Sequence, residues 1–125
     1  HSVIMTPTDH CYLDFYQGDP TVEPNTYSML RLQDCYKYQL IPDSVDASLI
    51  MGGQGNLWTE SVPHYRQVEY MIWPRALAIS ETLWTDARLR NWKFFVNRVE
   101  QHPASIMPAA STILSFIPIG IKSAN

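Results

Sequence analysis

The apolar positions of this 125-residue chain change period along its length, and the changes mark out its elements. Val3-Ile4-Met5 is a short β-branched and apolar run closed by Thr6-Pro7, the pattern of a buried strand that ends in a loop. Gly18-Asp19-Pro20 and Glu23-Pro24-Asn25 are turn and breaker signals, and the mixed interval Tyr27 to Tyr38 after them predicts a short helix. Pro42-Asp43-Ser44 then turns the chain toward a second strand, Ser48 to Met51. From His64 the spacing becomes helical: Tyr65, Val68, Met71 and Ile72, then Leu77, Ile79 and Leu83, form one apolar stripe. Pro74 interrupts it. A proline inside a helix removes a hydrogen bond and clashes with the preceding turn, so a kink or a pair of helices is expected near Trp73 to Arg75. A last helix, Ala87 to Gln101, is expected to turn Leu89, Trp92, Phe95, Val96 and Val99 inward and Arg88, Arg90, Lys93 and Arg98 largely outward.

Where the second apolar run ends, the chain reads Gly52-Gly53-Gln54-Gly55-Asn56-Leu57-Trp58-Thr59-Glu60. The glycines permit tight or positive-φ backbone that residues with a Cβ avoid. If Trp58 and Glu60 stay extended, their i, i+2 spacing puts both side chains on one face. An indole wall beside a carboxylate suits a sugar, which has apolar C–H faces and a rim of hydroxyls. The same two residues also suit a buried structural Trp beside a surface Glu.

Composition narrows the classes. The net charge of −3 provides no basic surface for nucleic acid. Four Trp and seven Tyr fit a carbohydrate site and fit an ordinary core equally. Two cysteines, Cys11 and Cys35, are too few for a disulfide framework and lack metal-ligand spacing, so both read as free thiols. His1, His64 and His102 form no metal-spaced cluster with acidic residues; no metal and no cofactor are expected. The glycine run lacks the Lys-Ser/Thr end of a phosphate loop. His10 lies close to Tyr12, either at a pocket rim or as a structural histidine. Glu69, Arg75 and Glu81 are expected to form a local ion-pair network on the helix after the glycine-rich run.

Three blocks together resemble the C-terminal part of the catalytic domain of glycoside hydrolase family 20, the β-N-acetylhexosaminidases. They are Val3-Ile4-Met5-Thr6-Pro7 running into Tyr12-Leu13-Asp14-Phe15-Tyr16-Gln17, then Gly52 to Glu60, then Val68-Glu69-Tyr70-Met71 with Trp73-Pro74-Arg75. They span about two-thirds of the chain, from Val3 to Trp84. The resemblance implies an α/β fold, the last two βα units of a (β/α)8 TIM barrel, in which catalytic groups sit at the C-terminal ends of strands. At 125 residues the chain has about half the length of a complete barrel, so it is expected to be a fragment, incomplete as a stand-alone fold, with its strand edges exposed to self-association. Residues 1–102 would be the barrel part and 103–125 an atypical tail.

The resemblance also implies roles. Tyr12 would hydrogen-bond the acetamido oxygen of the sugar, Asp14 and Glu60 would accept from the hydroxyls on C4 and C6, and Trp58 would form the wall beneath the sugar and its acetamido methyl. The family's reaction is substrate-assisted hydrolysis with retention: the acetamido oxygen attacks the anomeric carbon while a glutamic acid protonates the leaving oxygen and the aspartate before it orients the acetamide. Its partners would be glycans containing N-acetylglucosamine or N-acetylgalactosamine, with no nucleic acid and no membrane span, and the parent enzyme would be exported. This sequence departs from the family at one decisive point, since it contains no Asp-Glu dipeptide. The chain alone is therefore expected to be inactive. A catalytically silent carbohydrate-binding module and a non-functional remnant remain as alternatives.

The tail changes character after His102. From Pro103 to Asn125 only Lys122 is charged, and Ile113 to Ile121 is mostly apolar but broken by Pro118 and Gly120, too short for a spanning helix. Read in another frame with suitable synonymous codons, Ala104 to Phe116 yields Phe-Asp-Asn-Ala-Gly-Ser-Ile-Asn-Tyr-Ser, close to the ending expected for such enzymes. A frameshift near Pro103 is the expectation.

Overall fold

The structure, a computed structural model, describes residues 1–23 and 25–101. The tail 103–125, and with it the frameshift expectation, lies outside the described residues. Among them the chain forms a small α/β unit: β1 (Val3–Met5), α1 (Thr8–Cys11), α2 (Leu32–Tyr36), a 3-10 turn (Ala47–Leu49), β2 (Ile50–Gly53), α3 (Tyr65–Ile72), α4 (Arg75–Trp84), a second 3-10 turn (Ala87–Leu89) and α5 (Trp92–Gln101). The two strands pair in parallel, with Val3 opposite Ile50, Ile4 opposite Gly52 and Met5 opposite Gly53. The register slips between Val3 and Ile4, so that Met51 is passed over. Parallel pairing requires a crossover, and α2 with its flanking loops supplies it.

The first strand falls where its apolar run predicts. The second begins two residues later than expected, because Asp46 accepts the Ser48 N–H (2.9 Å) and closes Ala47–Leu49 into a 3-10 turn. The first strand is not buried as expected: Val3 is 43% and Ile4 52% exposed, and Met51 of the second strand is 72% exposed. The described helices cover only part of the sheet, and its apolar residues are left open.

The helix expected from Tyr27 to Tyr38 shrinks to the five residues of α2. Ser28 and Leu30 are taken by a long-range bridge instead, in which Tyr16 donates to Ser28 O (2.9 Å) and accepts from Leu30 N (2.8 Å). Asp34 then accepts the Arg31 N–H (2.9 Å) and fixes the start of α2. The stripe from Tyr65 to Leu83 divides into α3 and α4 across a cis Trp73–Pro74 peptide, as the proline predicts. On α4 the buried residues are Arg75, Ala78, Ile79 and Thr82, the spacing of one helical face. The final helix is shorter than expected. Asp86 caps the turn Ala87–Leu89 (Arg88 N–H to Oδ1, 2.9 Å), and Asn91 Oδ1 accepts the Phe94 N–H (3.1 Å) at the start of α5. Phe95, Val96 and Val99 point inward as expected, but Leu89, left on the turn, is 76% exposed.

The core lies between α2, α4 and α5. Leu32, Cys35 and Tyr36 meet Ala78 and Ile79, with Phe95, Val96 and Val99 beneath them. Cys11 and Cys35 are free thiols, both buried, and burial pushes them up to about 11 and 12, so both stay protonated and inert at neutral pH.

Two glycines of β2 have separate reasons to be glycine. At Gly52 φ is 150°, a conformation that side-chain-bearing residues rarely adopt. At Gly53 a Cβ would sit 2.6 Å from Leu83 Cδ2, 3.0 Å from the Tyr38 hydroxyl and 3.1 Å from Leu40 Cδ1. That hydroxyl donates to Met5 O (3.0 Å), so the crowding would be passed to the other strand. Gly53→Ala is therefore expected to lower stability by about 1–3 kcal/mol in urea unfolding, the usual cost of overpacking. An unchanged midpoint would show that Leu83 absorbs the methyl freely.

Candidate functional site

Beyond the strands the two segments stay side by side. Asn56 donates to Cys11 O (2.8 Å) and accepts from Leu13 N (2.7 Å), and Tyr12 and Asn56 form a parallel bridge. The one-turn helix α1, which the sequence does not announce, lies between β1 and this bridge. The bridge brings the two sequence-predicted pairs together: the Tyr12 and Trp58 rings lie 6.5 Å apart at 37°. Trp58 and Glu60 follow irregular backbone rather than a strand, yet both line one cavity with Asp14.

That cavity has a volume of about 140 Å³, with Thr26, Tyr27, Ser61, Val62 and Met71 completing its walls. Complete ligand pockets occupy roughly 300–1,000 Å³, so these residues make part of a wall. Trp58 is 51% exposed and Glu60 is also exposed. Asp14 is only 9% exposed, and its Oδ1 has no hydrogen-bond partner. A buried carboxylate oxygen without a donor is costly, and a ligand hydroxyl at the cavity would satisfy it. A larger groove, about 330 Å³, runs behind Gly53, Gly55, Leu57, Ile79 and Leu83. Its lining is mainly apolar and holds none of the four predicted residues, so volume alone does not locate the site.

The backbone on both sides of Asp14 is fixed by Arg75, which is fully buried. Its guanidinium donates to Leu13 O (2.5 Å), Phe15 O (2.9 Å), Leu30 O (3.0 Å) and, through Nη2 and Nε, to Met71 O (2.6 and 3.2 Å). The five N–H groups of the planar fork match these five contacts. The expected ion-pair network of Glu69, Arg75 and Glu81 is thus corrected. Arg75 serves four carbonyls, and Glu81 pairs with Arg98 on the surface (2.6 Å). Desolvation lowers the Arg75 pKa to about 10, partly opposed by nearby acidic groups, and leaves the group charged at neutral pH.

His10 is structural. Its Nδ1 lies 2.7 Å from Asp34 O, and its ring stacks 5.7 Å from Tyr38. Tyr27 is the residue that sequence reasoning placed in a helix and missed as part of the site. It lies in a loop, packs edge-on against Phe15 (5.3 Å, 77°) and stands beside Asp14 and Glu60. Its aromatic character among turn residues was the available signal. Among the described residues no group of three His, Cys, Asp or Glu is placed to hold a metal, and no helix is long and apolar enough to cross a membrane.

The description "Glycosyl hydrolase family 20, catalytic domain" matches residues 1–87. The chain is 37% identical over 105 residues to a β-hexosaminidase of Porphyromonas gingivalis, covering 80% of this chain and 14% of that protein. It is 31% identical over 104 residues to a β-N-acetylhexosaminidase of Cellulomonas fimi, covering 80% and 21%. The fold superposes with a TM-score of 0.68, at 25% identity, on the family 20 exo-β-N-acetylglucosaminidase of Vibrio harveyi solved with N-acetylglucosamine, covering 92% of this chain and 18% of that one. The chain is a member of glycoside hydrolase family 20, the family of the β-N-acetylhexosaminidases, and spans between about a seventh and a fifth of the length of these relatives.

The Tyr27 phenol is raised above its ordinary value, first by desolvation and then by the negative charges of Asp14 and Glu60. Removing a neighbouring negative charge favours the phenolate, so Glu60→Gln is expected to move the Tyr27 titration to lower pH. The ring resonances of Tyr27, followed by NMR through alkaline pH, measure this directly. A titration that stays in place or rises would separate Tyr27 from Glu60.

Proposed function

We propose that this chain forms one side of the sugar subsite of an enzyme that hydrolyses terminal N-acetyl-β-hexosaminides, as the last two βα units of a (β/α)8 barrel extending through residue 102. The observation that carries the reading is the unpartnered, nearly buried Asp14 Oδ1 in a cavity shared with Trp58 and Glu60. In the reading, Asp14 and Glu60 accept hydrogen bonds from the C4 and C6 hydroxyls, and ionised acceptors make those bonds stronger than neutral ones would. Trp58 lies against the apolar face of the ring. Tyr12, held beside it by the bridge to Asn56, directs its hydroxyl at the acetamido oxygen and orients it for attack on the anomeric carbon. Protonation of the leaving oxygen belongs to an Asp-Glu pair that this sequence does not contain. The first β-strand, the bridge and the cavity wall support placement of both residue pairs after parallel strands, where (β/α)8 enzymes carry their chemistry.

A second reading, favoured by the exposed Trp58 beside two carboxylates, is a silent carbohydrate-binding module that keeps Tyr12, Asp14, Trp58 and Glu60. Binding and turnover by the full chain test both readings. N-acetylglucosamine is expected to bind, and Trp58→Ala to weaken it by about 1–3 kcal/mol, the order for losing a large aromatic contact. No release of the aryl group from an aryl N-acetyl-β-glucosaminide is expected above buffer at any pH. Absence of sugar binding by this chain alone would overturn the module reading, since one side of a subsite need not bind the sugar by itself. Turnover that scales with protein and disappears in Glu60→Gln would instead make Glu60 the general acid.

A further inference from the structure

The loop between Phe15 and Leu30 carries Thr26 and Tyr27 to the cavity, and its two ends are held by side chains outside that cavity's wall. At the outgoing end Glu23 Oε2 accepts the Gln17 N–H (3.1 Å), while Oε1 accepts the Gly18 N–H (2.5 Å) and the Tyr70 hydroxyl (2.9 Å). Gln17, 4% exposed, donates its amide to Tyr70 O and to Trp73 O (3.3 Å). The turn is thereby tied to α3. There is no room at this junction: a Cβ on Gly18 would lie 2.7 Å from Glu23 Oε1 and 3.0 Å from the Tyr70 hydroxyl. At the returning end the Tyr16 hydroxyl accepts the Thr26 N–H (3.0 Å) and donates to Asn25 Oδ1 (3.2 Å), directly before Tyr27.

Tyr27 itself is held by little besides Asp14 and Phe15. It is 81% exposed, with its phenol beside the Asp14 carboxylate and its ring in edge contact with Phe15. An exposed aromatic in a loop closed by polar contacts takes its position from those contacts, because the alternative is a flexible loop with many rotamers. We propose that Tyr16 and Glu23 are positioning residues: they pin the two ends of the 17–26 loop so that Thr26 and Tyr27 stand as a fixed wall facing Asp14 and Glu60. This deepens the functional reading above and rests on it, since a pre-set wall lowers the ordering cost of sugar binding. Neither residue touches the sugar; each acts through Tyr27.

The test uses Tyr16→Phe and Glu23→Gln in the full chain, each made also in a Tyr27→Ala background. Both changes are nearly isosteric, and the thermal midpoint monitors the fold. The first readout is the NMR contact between the Tyr27 and Phe15 rings, which is expected to be lost in both variants. The second is affinity for N-acetylglucosamine, expected to weaken about fivefold, the equivalent of one net hydrogen bond, with no further loss once Tyr27 is alanine. Retention of the ring contact, or an equal loss of affinity in the Tyr27→Ala background, would overturn the proposal. If the unaltered protein binds no sugar, the binding-module reading falls, and the ring contact alone then decides whether Tyr16 and Glu23 place Tyr27.

Discussion

The arrangement depends on one buried guanidinium. Arg75 enters the core at the first turn of α4, where no carboxylate among the described residues touches it directly, and its cost is offset mainly by carbonyls. Those carbonyls come from three places: the segment around Asp14, the start of the run into α2, and the last turn of α3. None of the three can move without leaving a charged donor unsatisfied inside the protein. Hydrogen bonds to a charged group are worth about 1.5–3 kcal/mol each, and several converge here. The result is a rigid frame around Asp14, although Asp14 sits on irregular backbone.

Rigidity of that kind explains how a nearly buried carboxylate oxygen is kept without a partner. In a mobile loop Asp14 would rotate toward water; held at Leu13 and Phe15, it remains turned to the cavity. The second arm reaches the same cavity by a different device. Asn56 uses its own backbone to extend the parallel pairing past the end of β2, and Trp58 and Glu60 follow from it. One arm is thus set by a side chain and the other by the sheet. Met71 lines the cavity and gives its carbonyl to Arg75, so α3 is tied to both.

Local signals in the sequence foretold the local features of the fold. An apolar run closed by Thr6-Pro7 marks β1, and Pro74 divides α3 from α4 because a proline's effect on a helix does not depend on distant partners. Features set by distant partners were hidden. Ser28 and Leu30 left the expected helix for Tyr16, twelve or more residues away, and Leu89 was stranded on a capped turn whose aspartate carried no periodic signal. Arg75 was misjudged for the same reason. Arginine is mostly a surface residue, and the carbonyls that bury it come from positions 13, 15 and 30. At the candidate site, Tyr12, Asp14, Trp58 and Glu60 were singled out by the resemblance rather than by local pattern alone, and Asp14, Trp58 and Glu60 line one cavity. Tyr27 was not singled out, since it arrives by the closure of a long loop.

The most direct measurement of the frame is native-state hydrogen exchange combined with denaturant unfolding of Arg75→Met. Methionine fills much of the volume but donates nothing, which leaves four carbonyls buried without their donor. The account predicts a loss of at least about 3 kcal/mol, the order for breaking a buried charged network, and faster exchange at the Leu13 and Leu30 amides, which bond across the loops that Arg75 joins. Unchanged stability with unchanged exchange at those two amides would contradict it, and would mean that packing alone holds Asp14 in place.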